Sequence, residues 1–206
     1  VRFAFLLCLL AAGAAGAAHA TSVVPPRFAE LVAEAELIVR ATPIARETRR
    51  EAAPDGTAIL RTYVTLAVER TLKGTPADRL TLAFLGGELG DEAMTVRGVP
   101  RLEPGSVDYI FIAGNGRVFC PVVGLGHGRF RVLRDDAAGR DYLARENHEP
   151  LTDPGEVGLP LDPAAATLPL LAARAAERRA RALAPATFEA AVTAELRRGA
   201  GPIQAR

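Results

Sequence analysis

The chain has 206 residues, 49% of them hydrophobic and 24% charged, which suits one folded domain with appendages and excludes wholesale disorder. Aromatic residues make up only 5% and tryptophan is absent, so broad stacking surfaces are not on offer. Without Arg2, the only charged residue among the first twenty, the 25 basic residues become 24 and equal the 24 acidic ones. Long-range steering toward nucleic acid or an anionic membrane is therefore not expected. Lys73 is the sole lysine, and the abundance of Ala, Gly, Pro and Arg resembles the codon bias of a GC-rich bacterial genome. In such a background a run of arginines carries little information.

Residues 1–20 read as a secretory leader. Arg2 supplies the positive start, residues 3–10 the apolar core, and Ala18-His19-Ala20 the small-x-small cleavage pattern. Cys8 lacks the preceding small residue of a lipoprotein cysteine. The mature protein is expected to begin at Thr21 and to be exported, periplasmic or extracellular, with no membrane span after cleavage.

Thr21 to Pro26 reads as an extended arm, and Pro25-Pro26 suits a helix beginning just after it. Phe28, Leu31, Val32 and Ala35 recur at helical spacing and give a short amphipathic helix expected to cover an edge of a sheet. Residues 37–41 (LIVRA) form a strand that continues irregularly past Pro43 to Thr48. Arg49, Arg50 and Glu51 lead to a turn at Pro54-Asp55-Gly56. Residues 59–74 (ILRTYVTLAVERTLKG) then alternate strictly, with Val64, Leu66 and Val68 on one face and Tyr63, Thr65 and Ala67 on the other. Period-two alternation with β-branched and aromatic residues marks a strand with one buried face.

A second alternating run holds Leu80, Leu82 and Phe84. Residues 86–104 are irregular, with a short strand expected at residues 93–97 and a turn at Pro104-Gly105. Residues 107–113 (VDYIFIA) are strongly apolar, and Asn115-Gly116 signals a tight turn into a strand at residues 117–123. Residues 124–128 (GLGHG) bend the chain, and Phe130, Val132 and Tyr142 mark the last strands. Short strands at these intervals predict a small antiparallel barrel or sandwich. From Glu146 onward Pro150, Pro154, Pro160 and Pro163 read as a linker or draped loop. Helices are predicted at residues 170–183 and 187–198, the second with Phe188, Ala191, Val192 and Leu196 on one face and Gly199 as its stop. Their arginines (174, 178, 179, 181, 197 and 198) read as a solvated face.

The order of these patterns resembles a known family. Residues 35–41 (AELIVRA) after a short helix, a hairpin into a long strand ending Leu72-Lys73-Gly74, and residues 107–114 (VDYIFIAG) are similar to the OB-like barrel of the tissue inhibitors of metalloproteinases and netrin-like modules. The order also resembles that of uncharacterised exported bacterial proteins, and the likeness covers residues 27–134. It implies a mainly β fold: a small OB-like antiparallel barrel at residues 21–145 with a short N-terminal helix and a helical tail at residues 146–206. The inhibitory activity of that family uses an N-terminal cysteine locked by disulfides. Here the mature end is Thr21-Ser22, and Cys120 is the one cysteine beyond the leader, so the resemblance carries the fold and not the site.

No complete catalytic constellation is legible. Cys120 and His127 pair a nucleophile with a base by residue type alone, and a cysteine in an apolar segment reads first as a small buried hydrophobe. The glycines of residues 124–128 precede a strand, not the helix that a phosphate loop needs. His127 and His148 lack a ligand spacing; Glu88, Asp91 and Glu92 offer oxygens for a hard cation but read first as an acidic surface loop. Oligonucleotide binding would need stacking aromatics in a basic groove, and Tyr63, Tyr109 and Phe111 are the candidates, the last two among core neighbours. The expectation is a non-enzymatic binding or interaction module of the bacterial cell envelope, without cofactor or metal. Its partner is another exported protein, and its contact surface comprises Thr21, Ser22, Glu88, Asp91, Glu92 and His127. The alternative is an inhibitor of an exported metalloprotease acting through the N-terminal arm.

Overall fold

The computed structural model describes residues 25–161 and 169–199, with side chains from residue 175 in the latter segment. The expected leader, Cys8, the arm residues Thr21 and Ser22, Pro163 and the Arg174 side chain lie outside the described residues. The elements are α1 (Phe28–Glu34), β1 (Leu37–Ala52), β2 (Ala58–Lys73), β3 (Arg79–Leu85), β4 (Gly87–Leu89), β5 (Glu92–Met94), β6 (Val107–Ile112), β7 (Arg129–Asp135), β8 (Arg140–Arg145), α2 (Pro169–Arg181) and α3 (Pro185–Gly199). Short 3₁₀ turns at Leu125–Gly128 and Pro154–Gly158 complete the set.

The fold is mainly β, as the alternation predicts: six antiparallel strands in the order β3-β2-β1-β6-β7-β8, with a separate β4–β5 hairpin. Strands β3 and β8 are the two ends of the sheet, which is open and not closed into a barrel. The reason lies in what covers it. Alternate residues of β1 and β6 enter different cores. Ile38, Tyr109 and Phe111 meet α1 and α3 on one face, whereas Val39, Ala41, Ile110 and Ile112 meet Val64, Leu66, Leu82 and Phe84 on the other. The first face is covered by the helices; on the other, β1, β2, β3 and β6 of the same sheet pack on one another around the loop residues Leu102, Cys120 and Val122. This is why VDYIFI reads as a continuous apolar run.

Pro43 sits inside β1 without cost. The β1–β6 ladder ends at Ala41, and a register shift between Pro43 and Ala45 bends the strand there. Beyond it, β1 and β2 continue as a ribbon, flanked by β3 as far as Arg61 and closed by Pro54-Asp55-Gly56, with Asp55 accepting from the Thr57 N–H at 2.9 Å. Both sheet ends are capped by irregular chain, which blunts the edges. Asn115 bonds the Ala83 N–H (3.0 Å) and the Thr81 carbonyl (2.8 Å) of β3, and the Phe119 carbonyl accepts from Leu85 N–H at 2.7 Å. On β8, the Leu143 N–H donates to the Leu183 carbonyl and the Leu143 carbonyl accepts from the Leu151 N–H, both at 2.9 Å.

Those edge bonds overturn one expectation. Residues 117–123 are not a strand; a single bridge joins Ile112 to Val122, because the segment divides its bonds between β6 and β3. The short strand expected at residues 93–97 is instead Glu92–Met94. Helix α1 covers the sheet face and not its edge, through the four residues its spacing singles out. Helix α3 shares that core: Phe188 and Val192 are fully buried, with Ala191 and Leu196 packed beside them. Arg178 is more than a solvated charge, since it donates to the Pro150 carbonyl (3.0 Å) and to Glu156 (2.9 Å).

Lys73 also has an assigned task. No basic residue lies in the last turn of α1, and the Lys73 ammonium donates to the Val32 and Ala33 carbonyls at 2.7 and 3.0 Å. Lys73→Met is expected to cost about 1–2 kcal/mol, the worth of a charge-assisted helix cap at a half-exposed site. Urea unfolding checks it, with Lys73→Arg as the variant that retains most of the stability.

Candidate functional site

The inner face of the β1–β2–β3 curl is apolar near β6 and turns polar along the ribbon. Register pairs Arg46 with Val64, Thr48 with Thr62 and Arg50 with Leu60, so these side chains share that face. Hairpin β4–β5 lies across it. The crossing is possible because Gly87 has no side chain: a Cβ there would sit 2.2 Å from Thr62 Oγ1 and 2.8 Å from Thr48 Oγ1. Its φ of +142° is likewise a glycine conformation. Thr62 Oγ1 donates to the Gly86 carbonyl at 2.7 Å and stands 3.0 Å from Thr48 Oγ1, fixing the hairpin to the ribbon.

Cavities flank the hairpin. One of about 130 Å³ lies against it, lined by Val64, Phe84, Val96, Val99 and Leu102 together with Arg46, Thr62, Glu88 and Arg101, among others. It opens beside a polar recess of about 250 Å³ lined by Arg46, Thr48, Glu88 and Arg101. On the other side a hollow of about 270 Å³ is bounded by Arg50, Leu60, Glu92 and Met94, among others. Arg50 pairs with Glu92 on this side, and on the first side Arg101 bridges Glu88 (3.5 Å) and Glu103 (2.8 Å). Leu89 at the hairpin end is an exposed large apolar residue.

The far wall of the cleft, residues 95–104, is held from below by a buried ion pair. Arg129 and Asp108 are both fully buried, with Nη2 donating to Asp108 Oδ2 at 2.9 Å. Arg129 Nη1 donates to the Arg101 carbonyl at 2.8 Å and approaches Glu146 at 3.1 Å. Ser106 Oγ donates to Asp108 Oδ2 at 2.7 Å, and the Gly105 N–H reaches the Pro43 carbonyl at 3.0 Å. Burial pushes the Glu146 carboxyl above its ordinary value, opposed by Arg129 and Arg131. Burial, then Arg131 and Arg129, holds His148 below the usual imidazole range.

The acids singled out from sequence are thus brought to one hairpin but not to one point. In the β4–β5 register Glu88 pairs with Ala93 and Leu89 with Glu92, so Glu88 and Glu92 project from opposite faces, each toward an arginine. Asp91 is exposed at the turn between them. Among the described residues no three His, Cys, Asp or Glu side chains converge as a metal site. Cys120 and His127 do not form a pair. Cys120 is buried in the core under the loops, while His127 Nδ1 bonds the carbonyl of Val157, a residue of the helix-side core, at 2.8 Å. Tyr109 and Phe111 are fully buried, which removes them from any stacking surface. Residues 124–128 form a 3₁₀ turn before β7, in keeping with a bend and not a phosphate loop.

Burial raises the Cys120 thiol to about 11, away from the thiolate a nucleophile needs. Tyr109 is raised as well, by burial first and then by its 2.6 Å hydrogen bond to Glu189. Both groups have folded pKa values above their unfolded ones, so their contribution is complete below the unfolded values, about 8.5 and 10, and is lost as pH rises. Two outcomes are expected: Cys120 resists iodoacetamide at pH 8 in native protein and reacts in urea, by peptide mass spectrometry, and stability declines from about pH 9 upward. Rapid native alkylation would contradict the placement of Cys120.

Sequence reasoning missed Arg46, Arg101 and the Asp108–Arg129 pair. The arginines are camouflaged by an Arg-rich composition. Asp108 did carry a signal, since a carboxylate inside an apolar strand must find a partner. No family model and no curated protein matches this chain.

Proposed function

We propose that this protein is an exported, non-enzymatic binding module of the bacterial cell envelope that meets its partner at the cleft around hairpin β4–β5. The observation that supports this reading is the combination of a sheet buried on both faces with a projecting hairpin flanked by cavities. A rigid scaffold that presents a loop of exposed charge, an exposed leucine and adjacent recesses is the usual construction of a recognition surface. Export rests on the leader pattern of residues 1–20. Among the described residues no helix is long and apolar enough to cross a membrane.

The inhibitor reading keeps one supporting feature. Pro26, the last residue of the expected arm, packs against Gly124 and Gly158, where a Cβ would lie 2.9 Å from Pro26 Cγ and 3.1 Å from its carbonyl oxygen. A photo-crosslinking amino acid placed singly at Leu89, Ser22 or Leu159 in the producing cell separates the readings. The cleft reading expects one discrete adduct from Leu89 and none from Leu159, an exposed leucine beside the β8 edge. A zinc protease captured from Ser22 alone would transfer the assignment to the arm, and equal labelling at all three positions would remove both.

A further inference from the structure

Arg46 lines both the cavity against the hairpin and the polar recess, and among the described residues no carboxylate is paired with it. The neighbouring groups already have partners. The single hydroxyl proton of Thr62 goes to the Gly86 carbonyl, which makes Thr48 the donor in the Thr48–Thr62 contact. Arg101 is divided between Glu88 and Glu103. Among the described residues the Arg46 guanidinium is therefore the charge in this lining that no carboxylate neutralises, suited to a planar carboxylate. Glu88 lines the same recess, so a multiply charged anion such as a phosphate ester would meet more repulsion than a monocarboxylate.

Size and polarity specify the other end of the ligand. The cavity against the hairpin is about 130 Å³, with Val64, Phe84, Val96, Val99 and Leu102 among its lining residues. By volume alone, an engineered protein cavity of about 150 Å³ admits benzene, so the apolar wall of this partly open, mixed-polarity cavity has room for a branched aliphatic chain or a ring of that order. Building on the cleft as the contact site, we propose that it takes a monocarboxylate carried on a short branched aliphatic or phenyl group. Arg46 holds the carboxylate and the apolar wall of the cavity holds the hydrocarbon. Two sources share this chemistry, a free short-chain acid and the C-terminal residue of a polypeptide.

The test is titration calorimetry of the protein purified from its host with 4-methylpentanoate, its uncharged amide, and N-acetyl-alanyl-leucine as acid and as amide. The expected result is binding of at least one acid, with the matching amide weaker by tenfold or more. Arg46→Ala is expected to lose at least tenfold and Arg46→Lys to retain part of it. Binding of 4-methylpentanoate alone assigns a free acid; binding of the acetylated dipeptide acid assigns a polypeptide C-terminus. Equal binding of acid and amide, no binding of either acid at millimolar concentration, or an unchanged affinity in Arg46→Ala would overturn the proposal. The Leu89 cross-link keeps the two failures apart. An adduct without carboxylate binding removes the ligand class and leaves the contact site, whereas absence of both removes the site itself.

Discussion

Phe188→Ala is expected to destabilise the protein by about 3–5 kcal/mol, the cost of emptying a buried aromatic site. Phe188 is fully buried, and its ring centroid lies 5.7 Å from that of Phe28, 5.2 Å from Tyr109, 6.2 Å from Phe111 and 5.0 Å from Phe130. These rings come from α1, β6 and β7, so one side chain of α3 joins three elements across most of the chain. The hole cannot collapse easily, because the neighbours belong to a sheet fixed by its ladders. Urea unfolding measures the loss, accompanied by a fall of roughly 10 °C in Tm. A loss below about 1 kcal/mol, small beside the usual cost of such a truncation, would place α3 outside the cooperative core.

The second large effect concerns the pair beneath the cleft. Arg129→Met and Asp108→Leu are each expected to cost about 3–5 kcal/mol, since either leaves a charge buried without its partner. The double variant is expected to be less destabilised than the sum, because neither charge of the pair remains, although Glu146 still loses Arg129. Asp108 Oδ1 already lacks a hydrogen-bond partner among the described residues, so the wild-type pair is itself imperfectly satisfied. Arg129 also carries the Arg101 carbonyl, and the single Arg129→Met variant is expected to loosen residues 95–104 in amide exchange even where the fold survives. Additive losses in the double variant would show that the two residues act separately.

The parts of the fold that were legible in the sequence are those written as period or spacing. Residues 59–74 alternate, and β2 occupies Ala58–Lys73; Phe28, Leu31, Val32 and Ala35 share a helical face, and all four enter the core. Phe188, Ala191, Val192 and Leu196 behave likewise. What the sequence did not disclose depends on the third dimension. An apolar run such as VDYIFI states that both faces are buried, but not whether by curling into a barrel or by covering layers. Residues 117–123 carry strand-forming residues yet share their bonds between two strands, a choice set by chain closure and not by propensity. At the candidate site the acids were visible as an acidic loop in an irregular segment, but the hairpin that carries them was not. Their separation onto opposite faces and the arginines that meet them follow from register, which a loop sequence does not specify.

The central claim, that the cleft around β4–β5 is the contact site, is tested most directly by amide hydrogen exchange of the protein alone and with the partner captured through Leu89. The account predicts added protection concentrated in residues 86–102 and 46–50, with helix α3 and strand β8 unchanged. Protection confined to residues 25–28 and 124–128, or spread evenly over the sheet, would contradict it.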